Sequence, residues 1–425
     1  MRRHFFVGTL AVTFACFGLS QTARGQDGDY GRANTAEGGF ALHTIITNAT
    51  ATGSSNTAIG NSALYSDTSG SSNMATGDNA LGLNTTGGRN TATGHFALQN
   101  NTTGNQNTAT GSNAMASNTT GQNNTAIGAG ALSSNTNGSD NTAMGSTALA
   151  SLGFDGLDNT AIGSGALFSQ SSGGFNTAIG FNALFNNTAS NNTAVGDQAL
   201  LNNTNGTGNM ATGVAVLFKN TTGNNNTAEG SEALFSNTTG SNNTANGLLA
   251  LENNTIGHDN SAEGFQTLAN NTSGSSNIAL GSNAGINLTT GSNNIDIGAP
   301  GTAGESKKIR IGKQGTQTAT FVAGIRGATV ASGVAVVVSS NGQLGTVTSS
   351  ARFKDKIKPM DKASEAILAL QPVTFRYKHE LDPDDIPQFG LVAEQVEKVN
   401  PDLIARDAWG QALYGPLRSG ERDVA

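Results

Sequence analysis

Small residues, rather than large ones, set the rhythm of this chain. From Asn34 to Gly298 an Ala and a Gly recur two residues apart inside N-T-A-x-G, followed by an Ala-Leu pair and a polar Asn/Thr/Gly turn. The motif starts at Asn56, Asn73, Asn90, Asn107, Asn124 and Asn141, each 17 residues after the last. It continues at Asn159, Asn176, Asn192, Asn209, Asn226, Asn243, Asn260 and Asn277, with one-residue slips at Asn159 and Asn192. An earlier copy begins at Asn34, and Asn294-Ile295-Asp296-Ile297-Gly298 is a degenerate last one. A period this short cannot hold a helix pair or a propeller blade. It suits one coil of a β-solenoid with two short strands and two turns. Asn-Thr-Thr-Gly supplies the turns, because Gly tolerates positive φ and Asn bonds its own backbone. Alternation along the strand puts Ala and Gly on one side and Thr and the variable residue on the other. At about 4.8 Å per coil, some fifteen coils make a rod about 70 Å long.

The Ala–Gly side must be closely packed, since Ala holds that position in every copy from Ala36 to Ala279. The variable position carries Ile59, Ile127, Ile162, Ile179 and Val195 but also Glu229, Asn246 and Glu263, so the middle of the series is greasier than its C-terminal third. A coil lined by Ala and Gly buries little apolar area, and a single solenoid is expected to be marginal alone. The Leu column (Leu64, Leu81, Leu98, Leu132, Leu149, Leu184, Leu200, Leu234) and the Phe after several of them are expected to need a partner surface, which three chains around one axis provide.

The pattern changes after Gly298. Residues 308–312, 318–325 and 334–338 read as strands between Gly-containing turns, a β-rich neck. Residues 361–370 have an Asp start and helical apolar spacing, and Pro372 ends that run. Val373, Phe375 and Tyr377 alternate as a strand, and Leu391 to Val399 reads as a second amphipathic helix stopped by Asn400-Pro401. The expected fold is mainly β, with a small α+β C-terminal domain. The expected division is 1–25, 26–298, 299–348 and 349–425.

Composition and charge narrow the function. The chain has 57 Gly, 12% charged residues and net charge −7. Between Asn34 and Gly298 the only basic residues are Arg89 and Lys219, whereas sixteen lie after Gly304. The long segment has no positive patch to hold phosphates, so no nucleic-acid partner is expected. Met1-Arg2-Arg3-His4, an apolar stretch from Phe5 to Leu19 and Ala23-Arg24-Gly25 form a secretory leader, cleaved near Gly25. Its apolar run is too short to span a bilayer. The one Cys, Cys16, lies inside it, so the mature chain has no disulfide, thiol nucleophile or Cys-based metal site. His4, His43, His95, His258 and His379 lack metal-ligand spacing, and no P-loop or dinucleotide fingerprint occurs, so no metal or cofactor is expected. Thr columns invite an ice-binding reading, but Ile, Met and Glu interrupt them. The many N-x-T sequons, such as Asn101-Thr102-Thr103, are by-products of turn composition. Repeats this polar are expected to offer no concave site.

The NTAIG-x-x-AL repeats resemble the head repeats of trimeric autotransporter adhesins, from Asn34 to about Gly298. That resemblance implies a left-handed parallel β-roll in a three-chain bundle. The period of 17 and the lack of a membrane-anchoring β-barrel depart from that family. The stretch SSARFKDKIKPM…ILALQPVTFRYK…QFGLVAEQVEKVNPDLI, about Ser349 to Asp407, resembles the intramolecular chaperone of endosialidase-type phage tail spikes. In that family a Ser opens an S-D-x-R-x-K motif and attacks the carbonyl before it, releasing the chaperone after trimerisation. Carried over, Ser349 is the nucleophile, Lys354 the base and Arg352 the supporting cation, with the cut between Thr348 and Ser349. Ser350 stands where the motif has Asp. Read from the residues alone, the Ser pair is equally a polar turn opening a new domain beside a solvated Lys run.

From Gln411 to Val424 the chain reads QALYGPLRSGERDV. A family-like continuation, GKPYTVRYEAVNAML, back-translates so that reading one nucleotide early yields all of those residues, which points to a frameshift after about Gly410. The expectation is a secreted or cell-surface homotrimeric fibre with adhesin-like repeats, an unknown surface ligand and a chaperone that cleaves itself once per chain. The alternatives are a phage-tail-fibre-like host-binding protein and a Ser–Lys autoprotease carrying a passenger fibre.

Overall fold

A computed structural model describes residues 32–151, 156–170, 173–323, 325, 336–346, 355–357, 364–379, 385–406 and 412–414. The segments expected as a leader and, from Gly415 onward, as a frameshifted tail lie outside them. The chain divides into two compact units between Val322 and Ala323.

The first unit is a parallel β-solenoid. Its three-residue strands run from β1 (Thr35–Glu37) to β17 (Ile309–Ile311), and each pairs in parallel with the next in sequence to form one 17-stranded sheet. The register aligns Ala36 with Ala58, Ala58 with Ala75, and so on to Ala279, which faces Asp296 of β16 (Ile295–Ile297). β17 falls in the stretch expected as neck and pairs as the last rung, Asp296 opposite Arg310. A five-residue helix, α1 (His43–Thr47), interrupts the first turn.

Each coil has one strand, not the two expected, and the reason is the Leu. Wherever a coil carries it, the Leu sits in the left-handed region, Leu132 at φ 52° for example, as do Met115 and Gly285 in the two coils that lack it, and the neighbours make turns rather than a second strand. That conformation disfavours a branched side chain by about 1–2 kcal/mol, but it swings the Leu into the coil. Inter-coil hydrogen bonding continues through the turns: Leu81 N donates to Ala97 O at 3.0 Å, and Thr85 N to Thr102 O at 3.0 Å. The strand's closing Gly is obligatory. Gly111 has φ 136°, and a Cβ there would lie 2.5 Å from the Gly128 carbonyl oxygen.

The core reverses the expectation that the Leu column needs a partner. Leu64, Leu81, Leu98, Leu132, Leu149, Leu184, Leu200 and Leu234 are fully buried within the single chain, together with the strand Ala residues. The Phe residues that follow some of them serve one another: Phe168 stacks on Phe185 at 4.9 Å and Phe218 on Phe235 at 5.1 Å.

Two buried Asn ladders complete the interior. In the first, the Asn opening each strand accepts the backbone N–H of the next such Asn and donates to a turn carbonyl. Asn90 Oδ1 takes Asn107 N at 2.9 Å, while Asn90 Nδ2 gives to Gly104 O at 2.8 Å. In the second, the turn Asn donates to its counterpart one coil back and to its own turn: Asn101 Nδ2 to Asn84 Oδ1 at 2.8 Å and to Gly104 O at 3.0 Å. Asp67 starts this ladder, Gln170 fills one rung, and buried Leu288 replaces the Asn after Asn271. Buried amides are tolerable here because nearly all of their hydrogen bonds are met, the Oδ1 atoms of Asn135 and Asn271 being the exceptions among the described ladder residues.

The second unit is small and mixed. It contains the hairpin β18 (Val336–Val338) with β19 (Leu344–Thr346), the helix α2 (Glu365–Leu368), the antiparallel pair β20 (Val373–Phe375) with β21 (Gln388–Gly390), and α3 (Ala393–Val399). A 3-10 turn at Pro401–Leu403 is capped by Asn400, whose side chain accepts from Asp402 N, and the Asn-Pro stop follows α3 as expected. Ala405–Arg406 (β22) pairs with Ala412–Tyr414 (β23), so the start of the divergent tail closes a hairpin.

Candidate functional sites

Thr348, Ser349, Ser350, Arg352 and Lys354 lie outside the described residues. The chain is described again at Asp355-Lys356-Ile357, where Lys356 takes φ 54° and its N–H donates to Asp355 Oδ1 at 2.8 Å.

In the C-terminal unit, α3 buries Val396, and a cavity of about 280 Å³ opens between Leu370 and Ala369 on one side and Leu391, Val392 and Val399 on the other. Arg376 pairs with Asp385 at 2.8 Å beside β20. Two large apolar side chains of this unit are bare: Leu368 is 88% exposed and Phe389 84%.

The solenoid, whose repeats were expected to offer no concave site, carries a shallow depression that is largely open to solvent. A groove of about 810 Å³ runs along its last coils, from Ser236 to Ala303. One wall is the row Asn253, Asn270 and Asn287; the other is Thr255, Thr272 and Thr289. Between the rows, Asn254 and Asn271 turn into the buried ladder. Gly301, Thr302 and Ala303 close the end. The sequence hides this feature because its walls come from residues 17 apart.

Two buried carboxyls mark the solenoid ends. Asp67 accepts from Gly70 N at 3.0 Å, from Asn84 Nδ2 at 3.1 Å and from Asn56 Nδ2 at 3.2 Å. Burial outweighs these bonds and pushes its pKa up to about 7. Asp296 takes the place of a core Ala and is fully buried, with neither carboxyl oxygen hydrogen-bonded. Burial, then the nearby Glu305 charge, pushes it up to about 6, although Arg310 opposes the shift. Arg310 instead grips Glu305, Nε to Oε1 at 2.8 Å. Of the histidines, His95 faces Asp78 at 3.5 Å and His258 bonds Asp259 at 2.7 Å, each a surface pair whose carboxylate also accepts from an Asn side chain one coil back, Asn61 and Asn242.

A long stack of parallel coils followed by a compact α/β unit defines a fibre-like protein. Residues 349–405 match the family model described as the chaperone of endosialidase, so the C-terminal segment carries an endosialidase-type chaperone domain. No curated protein matches the chain. Among the described residues, no helix is long and apolar enough to cross a membrane.

Proposed function

We propose that this chain is a secreted, surface-displayed fibre that assembles as a homotrimer, with adhesin-like repeats and a C-terminal trimerisation chaperone that releases itself. The bareness of Leu368 and Phe389 carries this reading: a unit that leaves two large apolar side chains open to water is built to meet another copy. The outward column Ile127, Met144, Ile162 and Ile179 adds an apolar stripe along the repeats. The chaperone family match over 349–405 supports the same assembly.

In the release step, the Ser349 hydroxyl attacks the Thr348 carbonyl carbon. An ester forms to Ser349 Oγ as the Thr348–Ser349 C–N bond breaks. Lys354 takes the hydroxyl proton and passes it to the departing Ser349 amine, and water hydrolyses the ester to the Thr348 carboxylate. Lys354 serves as base only when neutral, and Arg352 and Lys356 are the cations close in sequence that favour its neutral form. The frameshift reading of the tail belongs with this proposal: Ala412–Tyr414 still pairs with Ala405–Arg406, but the rest of the family's strand and the helix after it are replaced, so clamping and release are expected to be weakened rather than lost.

The test is expression of residues 26–425 with sedimentation and a denaturing gel. A three-chain species that yields two fragments, with the Ser349→Ala variant intact, is the expected result. A stable monomer overturns the trimer, and an uncut native chain overturns self-release.

A further inference from the structure

We propose that the groove along the last coils is a binding site for a neutral, hydroxyl-rich polysaccharide. The argument starts from which polar atoms in its walls are already used. Thr255 Oγ1 donates its proton to Thr272 O at 2.8 Å, and Thr272 Oγ1 to Thr289 O at 3.1 Å. Each wall Asn donates one amide hydrogen to the neighbouring coil: Asn253 to Ala269 O at 3.0 Å, Asn270 to Ile286 O at 3.0 Å, and Asn287 to Gly301 O at 3.3 Å. That leaves each Asn one acceptor oxygen and one amide hydrogen facing out, and each of these two Thr only an acceptor. A sugar hydroxyl, which donates and accepts at once, satisfies both kinds of atom.

Charge excludes the acidic alternatives. No charged side chain lines the groove, and no Lys or Arg occurs between Asn220 and Gly304, whereas Glu229, Glu232, Glu252, Asp259, Glu263 and Asp296 do. A sulfated or carboxylated polymer, all acceptor and negative, finds no donor surplus in the walls, and the one cation at the groove's end, Arg310, whose Nη2 lies 3.5 Å from Thr302 Oγ1, is already paired with Glu305. A peptide would need apolar pockets for its side chains, and Ala303 is the largest apolar residue in the walls. Repetition adds the last element. The wall residues recur once per coil, at about 4.8 Å, close to the rise of one residue in an extended β-linked glycan. Successive sugars therefore meet equivalent Asn–Thr pairs.

The inference rests on the reading of the chain as a binding fibre, in which three copies multiply weak single-groove contacts. Its test uses the full chain in native affinity gels containing a soluble mixed-linkage β-glucan, with chondroitin sulfate and gelatin as comparisons and sedimentation run in parallel. The glucan alone is expected to retard the protein. Asn270→Leu is expected to weaken that retardation at least fivefold. Asn202→Leu, which loses the same kind of amide-to-carbonyl bond (Asn202 Nδ2 to Phe218 O, 3.0 Å) outside the groove, binds as the native chain does. No retardation of an assembled fibre, equal behaviour of the two variants, or equal capture by chondroitin sulfate or gelatin overturns the assignment. Retardation of a monomer leaves the groove standing and overturns the trimer.

Discussion

At the scale of single residues, Asn does the work that a sequence reading gives to Ala and Leu. The Asn of N-T-A-x-G and of NTTG reads as a turn former, because Asn and Gly dominate turns and nothing local reveals a partner 17 residues away. The structure buries both and uses their amides to lock one coil to the next. The sequon asparagines of the NTT turns, Asn101, Asn118, Asn220 and Asn237 among them, are fully buried with Nδ2 bonded to two oxygens, so the folded chain cannot present these for glycosylation, whereas others such as Asn123 and Asn225 stand exposed. Asn124 tests the ladder. Its Oδ1 accepts Asn141 N at 3.0 Å, and its Nδ2 donates to Gly138 O at 2.8 Å. Asn124→Ala leaves buried groups unpaired and is expected to destabilise the solenoid by about 2–4 kcal/mol. Asn124→Asp turns an acceptor toward the Gly138 carbonyl and is expected to be worse. Denaturant unfolding followed by circular dichroism ranks the two; an Asp variant as stable as the native chain removes the ladder's role.

At the scale of elements, the period and the inward Ala column were legible because each coil repeats the same short apolar signal. The second leg of the coil was not, since no propensity assigns Leu to a left-handed turn. That conformation is imposed by closing a coil in 17 residues around a core that needs the Leu side chain. The proposed self-cleavage motif was legible only as a motif: Ser349, Arg352 and Lys354 fall outside the described residues. Irregular rungs stand at the ends of the regular series. Asp67 begins the second ladder and Asp296 interrupts the Ala column, each with its proton affinity raised by burial. A carboxyl whose folded pKa lies above its unfolded value of 3.8 holds its proton more tightly when folded, so stability falls as pH rises from about 4 to the folded value and then levels off. The decline runs to about pH 7 for Asp67 and about pH 6 for Asp296. Asp67→Asn restores the residue of most other rungs. It is expected to raise the melting temperature at pH 8 and to leave it nearly unchanged at pH 4. Equal gains at both pH values would show that ionisation of Asp67 does not matter.

At the scale of the whole molecule, the balance between folding and assembly shifts from the solenoid to its C-terminal unit. With Leu and Ala sealed inside one chain, the repeats have no need of a second copy to cover their core. Leu368 and Phe389 do face water, and they belong to the unit that carries the chaperone family match. Replacing both with Ser is expected to reduce the three-chain species by at least tenfold in sedimentation while the β signal of the repeats melts within a few degrees of the native value. Loss of both together would show that the coils depend on trimerisation after all.

The ladders also carry a consequence for how such chains change length. Each regular rung finishes the hydrogen bonding of its neighbour with the same atoms, so removing or duplicating one whole 17-residue unit within the regular series rejoins equivalent partners. Growth and shrinkage by complete coils are therefore nearly silent to the interior, and the length of the repeat segment becomes a trait that can be adjusted without redesigning the fold.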